Sequence, residues 1–239
     1  SALELNSGKY IFEELKKFLI KNNLTNEDWN ALNILTQNAS TVGLLDLKIL
    51  SNEKENDFTF FKNLANKKFK FLYLLGSDNL DFKKDNEFIV YQGSHGDRGA
   101  EIADIVLPSA TYTEQNGLYE NLEGRVQECK KASYPIGESL EDWKIFNRII
   151  KKIGTKDDQS NFDQLRKEVL QLIPDFTKIN ELPKKSEIRD TNIQTNFVSE
   201  EVLIRELDYY YTNSISRSSK TMSECRQIKQ NNKKNGTNN

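Results

Sequence analysis

The chain has 239 residues with 34 basic and 36 acidic side chains, and this near balance gives no indication of a nucleic-acid partner. Its mean hydropathy is −0.70, and no stretch approaches the roughly 18 consecutive apolar residues of a transmembrane helix. The cysteines Cys129 and Cys225 and the single histidine, His95, are too few for an iron–sulfur cluster or a structural zinc site. A self-contained metalloprotein and a disulfide framework are therefore excluded.

The amino terminus carries no targeting signal. Residue 1 is Ser, the only methionine is Met222, and the opening residues lack a basic segment followed by an apolar core. We therefore expect a chain that either lost an N-terminal segment or is part of a longer protein.

Helical patterns dominate the first part of the chain. Apolar residues recur at helical spacing over residues 8–21. A capping-box-like start at Thr25 precedes a second predicted helix, which carries Trp29 and Leu35. A third helix is predicted over residues 57–66.

Three short apolar runs then predict strands. They cover residues 69–75, 88–91 and 102–108, and their composition is typical of strands buried on both faces. Because they are interleaved with amphipathic helices, they predict an α/β architecture with a largely parallel sheet flanked by helices. The connections are only about a dozen residues long, so one crossover must be a minimal helix or an irregular segment.

The rest of the chain predicts two helices followed by irregular structure. The helices are expected over residues 140–153 and 162–173, a polar loop or strap over 180–196, and a short helix over 200–211. Residues 231–239 have the composition of a disordered tail. The C-terminal tail, which begins at Thr212, is basic but has few aromatic residues. A solvated terminus or a docking strap is therefore favoured over a nucleic-acid contact.

A glycine-rich segment, residues 93–100, follows the second predicted strand. Such loops can cradle phosphate, yet its spacing fits neither the dinucleotide fingerprint nor a Walker A loop. A structural turn is therefore favoured. His95 lies within it, and any nucleophile–base pair in this chain would depend on that residue.

Residues 119–127 predict a strand, a tight turn and a returning strand. Four charged residues near this turn could form an acid–base site: Glu114, Glu120, Glu123 and Arg125. A structural interpretation is favoured, in which Gly124 has a positive φ, Asn121 bonds to the local backbone and Arg125 pairs with a carboxylate.

These segments together resemble one family. The matching motifs occur in order over residues 28–35, 71–78, 91–100, 102–108, 112–114, 121–127, 141–145, 208–210 and 214–222. The pattern is similar to the C-terminal part of the large iron–sulfur subunits of respiratory complex I, within the molybdopterin oxidoreductase-like superfamily. The stretch from Ala103 to Gln127 indicates the superfamily, and residues 214–222 narrow the match to the complex I form.

The resemblance implies a Rossmann-like α/β fold with an irregular C-terminal extension. It divides the chain into a molybdopterin-oxidoreductase-like region (1–174), an extension that packs on the complex (175–230) and a disordered tail (231–239). It places the cluster-binding cysteines in an N-terminal part outside this chain. It also implies that molybdopterin has been lost, so we expect no catalytic, cofactor-binding or metal-binding residue here.

The function implied by the resemblance is that of a non-catalytic scaffold and interaction part of proton-translocating NADH:ubiquinone oxidoreductase. The expected partners are other peripheral-arm subunits, above all the cluster-bearing N-terminal part, with no nucleic acid and no direct membrane span. The expected location is the matrix side of the mitochondrial inner membrane, in the NADH-oxidising module.

An alternative from another class is an enzyme. In it the chain is a fragment of a molybdenum oxidoreductase that still binds a pterin nucleotide through the 93–100 loop and the 121–125 turn. A free small-molecule Rossmann protein is excluded because the phosphate fingerprint is missing.

Overall fold

A computed structural model of the chain describes residues 5–25, 32–36, 38–49, 62–78, 83–154, 161–183, 188, 195–201 and 208–234. The chain divides into two compact units. We call them the sheet unit (Ser51–Gly117, Cys129–Val169 and Leu207–Asn239) and the hairpin unit (Ser1–Leu50, Leu118–Glu128 and Leu170–Glu206). The predicted segments 1–174, 175–230 and 231–239 stay predictions, because compactness within one chain does not test packing in an assembly.

A three-stranded parallel sheet forms the centre of the sheet unit. Its strands are β1 (Phe71–Leu75), β2 (Phe88–Gly93) and β3 (Ile105–Pro108), in the order β1-β2-β3. The connection from β2 to β3 contains the four-residue helix α3 (Arg98–Glu101), the minimal crossover that the short spacing requires. The predicted α/β architecture with a parallel sheet is confirmed.

The core of the sheet unit lies on one face of this sheet. Because side chains alternate along a strand, Leu72 and Leu74 of β1 lie on the same face as Ile89 and Tyr91 of β2. Leu64 joins this cluster from a helical turn at residues 62–65. The prediction of burial on both faces is wrong for the two edge strands of the sheet. Phe71 and Leu75 of β1 are exposed, as are Ile105 and Val106 of β3.

Tyr91 fixes the loop that follows β2. Its hydroxyl lies 2.5 Å from Asp78 Oδ1 and 2.8 Å from the carbonyl oxygen of His95. Burial and the hydrogen bond to Asp78 raise the pKa of Tyr91 well above its usual range. A Cβ at Gly93 would lie 2.2 Å from the Tyr91 hydroxyl oxygen, and one at Gly99 would lie 2.4 Å from the Ser77 carbonyl oxygen. Gly93 and Gly99 therefore serve close packing around one buried tyrosine.

Two helices follow the sheet, α4 (Asp142–Ile153) and α5 (Phe162–Leu172), as the apolar periodicity predicts. Helix α4 ends at Gly154, which has a φ of 81°. The rings of Trp143 and Phe162 lie 6.2 Å apart between the two helices.

Buried Glu141 anchors the beginning of α4. It accepts hydrogen bonds from the Trp143 indole at 2.9 Å and from Lys144 at 3.2 Å, and it pairs with Lys131 at 3.4 Å. Burial alone would raise the pKa of Glu141, but these hydrogen bonds and charges lower it overall.

The hairpin unit contains helix α1 (Gly8–Lys21), helix α2 (Thr41–Asp46) and most of a two-stranded sheet, β4 (Gly117–Glu120) and β5 (Val126–Cys129). Helix α1 confirms the prediction over residues 8–21. Its beginning is tied to a distant segment, because the Ser7 hydroxyl donates to the Val198 carbonyl oxygen at 2.7 Å.

Two predicted helices are not found where the structure describes the chain. The second predicted helix falls largely on residues 26–31, which lie outside the described residues, and its last part, residues 32–36, is not helical. There the Thr36 hydroxyl bonds to the Asn38 carbonyl oxygen, a local contact that competes with helix formation. Of the helix predicted over 200–211, the described residues 208–211 form turns in which Asp208 accepts from the Tyr210 N–H. Of the helix predicted over 57–66, residues 57–61 lie outside the described part.

The C-terminal tail is helical. Helix α6 (Ser214–Ser218) and helix α7 (Lys220–Lys234) make up most of its described part, and α7 includes four residues of the predicted disordered segment. The expectation of a solvated terminus or a docking strap stays a prediction. Local capping explains the start of α6, because Asn213 Oδ1 accepts from the Ser216 N–H at 2.8 Å.

Replacing Gly99 with Ala should destabilise the sheet unit, because the new Cβ would overlap the Ser77 carbonyl oxygen and the Tyr91 ring. We expect a loss of about 1–3 kcal/mol in the free energy of unfolding, measured by urea denaturation. Gly96→Ala is the matched control, since its Cβ would have only an ordinary contact of 3.7 Å and both glycines lie outside the left-handed region. Equal stability of the two variants would contradict the packing argument.

Candidate functional site

A cavity of about 370 Å³ lies at the carboxyl ends of the parallel strands. We call it the strand-end cavity. Ligands of α/β proteins bind at this edge of the sheet, so it is the first candidate for a functional site. Its walls include Leu75, Gln92 and Ser109 from the strand ends, and Asp142 from the start of α4.

A hydrogen-bonded network of side chains forms the floor of the cavity. Gln92, which is fully buried, accepts from the Tyr73 hydroxyl and donates to Asp142 Oδ1 at 2.6 Å. The second oxygen of Asp142 accepts from the Gln115 side chain at 3.0 Å, and the Asp142 N–H donates to Gln115 Oε1 at 3.2 Å. These polar groups therefore bond to one another.

The charge of the cavity is negative. Asp142 is the single charged side chain among the described residues that line it, and these include no Lys, Arg or His. Burial and the nearby Asp142 charge raise the pKa of Tyr73, so its hydroxyl stays a neutral donor. An anionic ligand would meet a carboxylate here and no cation.

The C-terminal tail contributes one wall of the cavity. Asn213, Ser214 and Ile215, at the beginning of α6, line it. The next turn of α6 is held in place by an ion pair between Arg217 and Asp97 of the glycine-rich loop. The motif at residues 214–222 therefore contributes Ser214 and Ile215 to the wall of the strand-end cavity.

The glycine-rich segment has the geometry of a structural turn. Gly93 and Gly99 pack on Tyr91, Asp97 pairs with Arg217, and the Ser94 hydroxyl lies 3.0 Å from His95 Nδ1. Cys129 contacts the Tyr112 carbonyl oxygen at 3.8 Å, and both cysteines are free thiols.

The turn at residues 121–125 also has a structural role. Asn121 Oδ1 accepts from the N–H groups of Glu123 at 3.0 Å and Arg125 at 2.9 Å, and Gly124 has a φ of 79°. The predicted roles of Asn121 and Gly124 are confirmed. The prediction for Arg125 is wrong, because its guanidinium donates to the Asn180 carbonyl oxygen at 2.7 Å instead of pairing with a carboxylate.

Of the four hypothetical acid–base residues, Glu120 and Glu123 line one cavity, which lies in the hairpin unit. Glu114 belongs to the sheet unit, where it closes a 3-10 turn by accepting from the Thr111 N–H at 3.1 Å. The cavity lined by Glu120 has a volume of about 290 Å³, and Asp46 also lines it. Burial, and then hydrogen bonding with Asp46 and its charge, raise the pKa of Glu120 to about 7.

Sequence reasoning missed two of these arrangements. Tyr73, Gln92 and Asp142 lie within the matching motifs, but nothing in these motifs predicted that they form a hydrogen-bonded network with Gln115. The polar Gln92 directly after the apolar run of β2 was a usable signal of such a network. The neighbourhood of Asp46 and Glu120 had no sequence signal at all.

Metal-binding and membrane-spanning features are both absent from the described residues. No group of three His, Cys, Asp or Glu side chains there is arranged to hold a metal ion. None of the described helices combines the length and apolar character needed to cross a membrane.

Two family models match the chain. The molybdopterin oxidoreductase model matches residues 1–152, and a model for the C-terminal region of a subunit of NADH-ubiquinone oxidoreductase matches residues 177–225. Together they cover both parts of the chain in which the sequence motifs occur.

Individual relatives agree with these matches. The chain is 35% identical over 231 residues to the NADH-ubiquinone oxidoreductase 75 kDa subunit of Reclinomonas americana, covering 95% of this chain and 33% of the relative. It is 37% identical over 226 residues to the mitochondrial 78 kDa subunit of Neurospora crassa, covering 90% and 29%. It is 36% identical to a subunit of the NADH-quinone oxidoreductase of Rickettsia bellii, covering 94% and 32%. The chain thus spans about a third of the length of these relatives.

Replacing Gln92 with Leu should destabilise the chain, because it removes the partners of the Tyr73 hydroxyl and of one Asp142 oxygen without changing the side-chain volume greatly. We expect a loss of about 1–3 kcal/mol in the free energy of unfolding. Ser94→Ala is the control, since Ser94 is exposed and bonds only to the neighbouring ring of His95. A Gln92→Leu variant as stable as the Ser94→Ala variant would show that the network is dispensable.

Stability should fall as the pH rises towards neutrality, because Glu120 keeps its proton in the folded chain up to about pH 7 but loses it near its ordinary pKa when unfolded. The stabilisation of the folded chain by protonated Glu120 is complete at acidic pH, and it is lost as the pH rises through the pKa of Glu120 in the folded state. Since Glu120 is partly exposed, we expect a change of no more than about 1 kcal/mol.

The Glu120→Gln variant should therefore gain stability relative to the unaltered chain at pH 8 and lose this part of the pH dependence. Thermal denaturation between pH 5 and pH 8 measures the effect. Glu123→Gln, three residues along the same turn and exposed, is the matched control. An identical dependence of stability on pH in all three proteins would contradict the raised pKa of Glu120.

Proposed function

Because this chain belongs to the molybdopterin oxidoreductase family and resembles the C-terminal part of the large subunit of NADH-ubiquinone oxidoreductase, we propose that it is a non-catalytic scaffold and interaction part of that complex. In this proposal it supports electron transfer from NADH to ubiquinone by positioning the cluster-bearing part of the large subunit. The clusters themselves belong to that other part.

The residues that line the strand-end cavity are the main structural support for this proposal. A pterin dinucleotide brings two phosphate groups, which need cations or free N–H donors. The described lining of this cavity supplies no cation, presents the Asp142 carboxylate, and uses the side-chain amides of Gln92 and Gln115 for internal hydrogen bonds. The residues therefore do not fit the cofactor of active superfamily members.

The geometry of the two segments that would bind the nucleotide also weakens the enzyme alternative. That alternative needs the 93–100 loop and the 121–125 turn to bind the nucleotide. In the loop, Gly93 and Gly99 pack on Tyr91, and in the turn Asn121 bonds its own backbone. These local packing and turn roles support the scaffold proposal over the enzyme alternative.

We also propose a cellular location for this chain. Relatives of the chain carry names of mitochondrial NADH-ubiquinone oxidoreductase subunits, which supports a mitochondrial location for this chain. We place it on the matrix side of the inner membrane, in the NADH-oxidising module, in contact with other peripheral-arm subunits and without a membrane span of its own.

Two measurements on purified, assembled complex test the proposal. Metal analysis and pterin fluorescence should detect no stoichiometric molybdenum, tungsten or pterin. NADH-dependent quinone reduction should stay within about twofold of the unaltered rate in His95→Ala, Cys129→Ser and Cys225→Ser complexes. His95→Ala is informative because the His95 backbone carbonyl that bonds to Tyr91 is retained.

Bound pterin would support the enzyme alternative instead. A large loss of quinone reduction in a fully assembled His95→Ala complex would contradict a non-catalytic role. Absence of the chain from purified complex would contradict the proposal altogether.

A further inference from the structure

An apolar groove lies between the edge strand β3 and helix α4. We call it the β3–α4 groove; its volume is about 750 Å³. One wall is the stripe of Ile145, Ile149 and Ile153, which lie four residues apart and so share one side of α4. Ile145 is buried, whereas Ile153 is 70% exposed, so the stripe runs from the core out to the surface.

Apolar surface continues around the groove. The opposite wall includes Leu107 of β3 and Leu140, and close along the chain Ile136 is 80% exposed and Tyr134 is 76% exposed. Scattered apolar residues on a surface are ordinary, but a continuous apolar patch at a groove indicates an interaction site. Parallel sheets are normally covered by helices on both faces, yet Ile105, Val106 and Pro108 of β3 are exposed in the described part of the chain.

The charges at the groove select the chemistry of its occupant. Arg148 and Lys152 of α4 lie among its lining residues and are exposed, while Glu138 is the single acidic residue in the same lining. A second copy of this chain in a symmetric contact would bring its own Arg148 and Lys152 against these cations. The excess positive charge therefore disfavours a second copy and favours an acidic partner.

The relatives indicate where such a partner can come from. About two thirds of the length of each relative has no counterpart in this chain. These relatives are subunits of NADH-ubiquinone or NADH-quinone oxidoreductase, and the proposed function puts this surface in such an assembly, where another polypeptide can cover it.

We infer that the β3–α4 groove binds an amphipathic helix of another polypeptide of the complex, with an apolar stripe against Ile149 and Ile153 and an acidic flank against Arg148 and Lys152. The inference rests on the proposed function, because it takes the assembly as the setting. It names the surface by which this chain is held there, which is a helix-in-groove contact.

A matched pair of variants tests the apolar part of the contact. Ile153→Asp places a carboxylate in the groove at the last residue of α4, and Leu172→Asp makes the same change at the last residue of α5, where Leu172 is 82% exposed. Each tagged variant is expressed beside the intact chain, and its share in purified complex is measured. We expect Ile153→Asp to be depleted roughly tenfold and Leu172→Asp to compete like the intact chain.

A photo-crosslinking residue at position 153 tests the occupant directly. In assembled complex it should crosslink to another polypeptide, and the linked peptide should have apolar residues at helical spacing with Asp or Glu beside them. The same residue at position 172 should give no such product. The double variant Arg148→Glu, Lys152→Glu should weaken retention of the chain severalfold at low salt and less at high salt.

The outcomes separate the two claims. If the chain is absent from purified complex, the proposed function fails. If the chain is present but Ile153→Asp competes as well as Leu172→Asp, only the groove inference fails. A crosslink from position 153 to a second copy of this chain, or to a segment without the acidic amphipathic pattern, also overturns it, whether or not the variants fold equally well.

Discussion

The structure of the sheet unit depends on the burial of one polar aromatic side chain. Tyr91 is 1% exposed, and its hydroxyl must be partnered because an unbonded buried hydroxyl is costly. Asp78 and the His95 carbonyl oxygen supply the partners, which fixes the ends of β1 and β2 relative to the loop. Only glycine fits at positions 93 and 99 beside the ring. The turn that results places Asp97 where it pairs with Arg217, so the position of the C-terminal tail follows from the same constraint.

A second consequence lies on the opposite face of β2. Gln92 follows Tyr91 directly, so the alternation of a strand turns it away from the core and towards α4, where it bonds to Asp142. Together with Tyr73 and Gln115 it closes the floor of the strand-end cavity with donors and acceptors that satisfy one another. The fold therefore keeps the edge at which related α/β proteins bind ligands while using its polar groups for internal structure. That is the physical basis of the scaffold role that we propose for this chain.

The two apolar sides of α4 make different contacts. Its sheet-facing side contributes Asp142 to the network and Phe146, whose ring lies 5.5 Å from that of Tyr73. Its other apolar stripe ends at an exposed isoleucine beside two cations. The exposed end of this stripe is the surface that the proposed partner helix would cover.

The sequence by itself determined the features that depend on local pattern. The strand runs, α1, α4, α5, the turn at Asn121–Gly124 and the family resemblance follow from periodicity, capping, glycine chemistry and ordered motifs over short separations. The tertiary structure alone decided the pairings that join distant residues, because nothing in local pattern specifies a partner 50 or 120 residues away, as for Gln92 with Asp142 and Arg217 with Asp97. It also decided that the polar tail is helical, that Arg125 bonds a carbonyl and that β3 is an exposed edge, since each depends on which surface the rest of the chain presents.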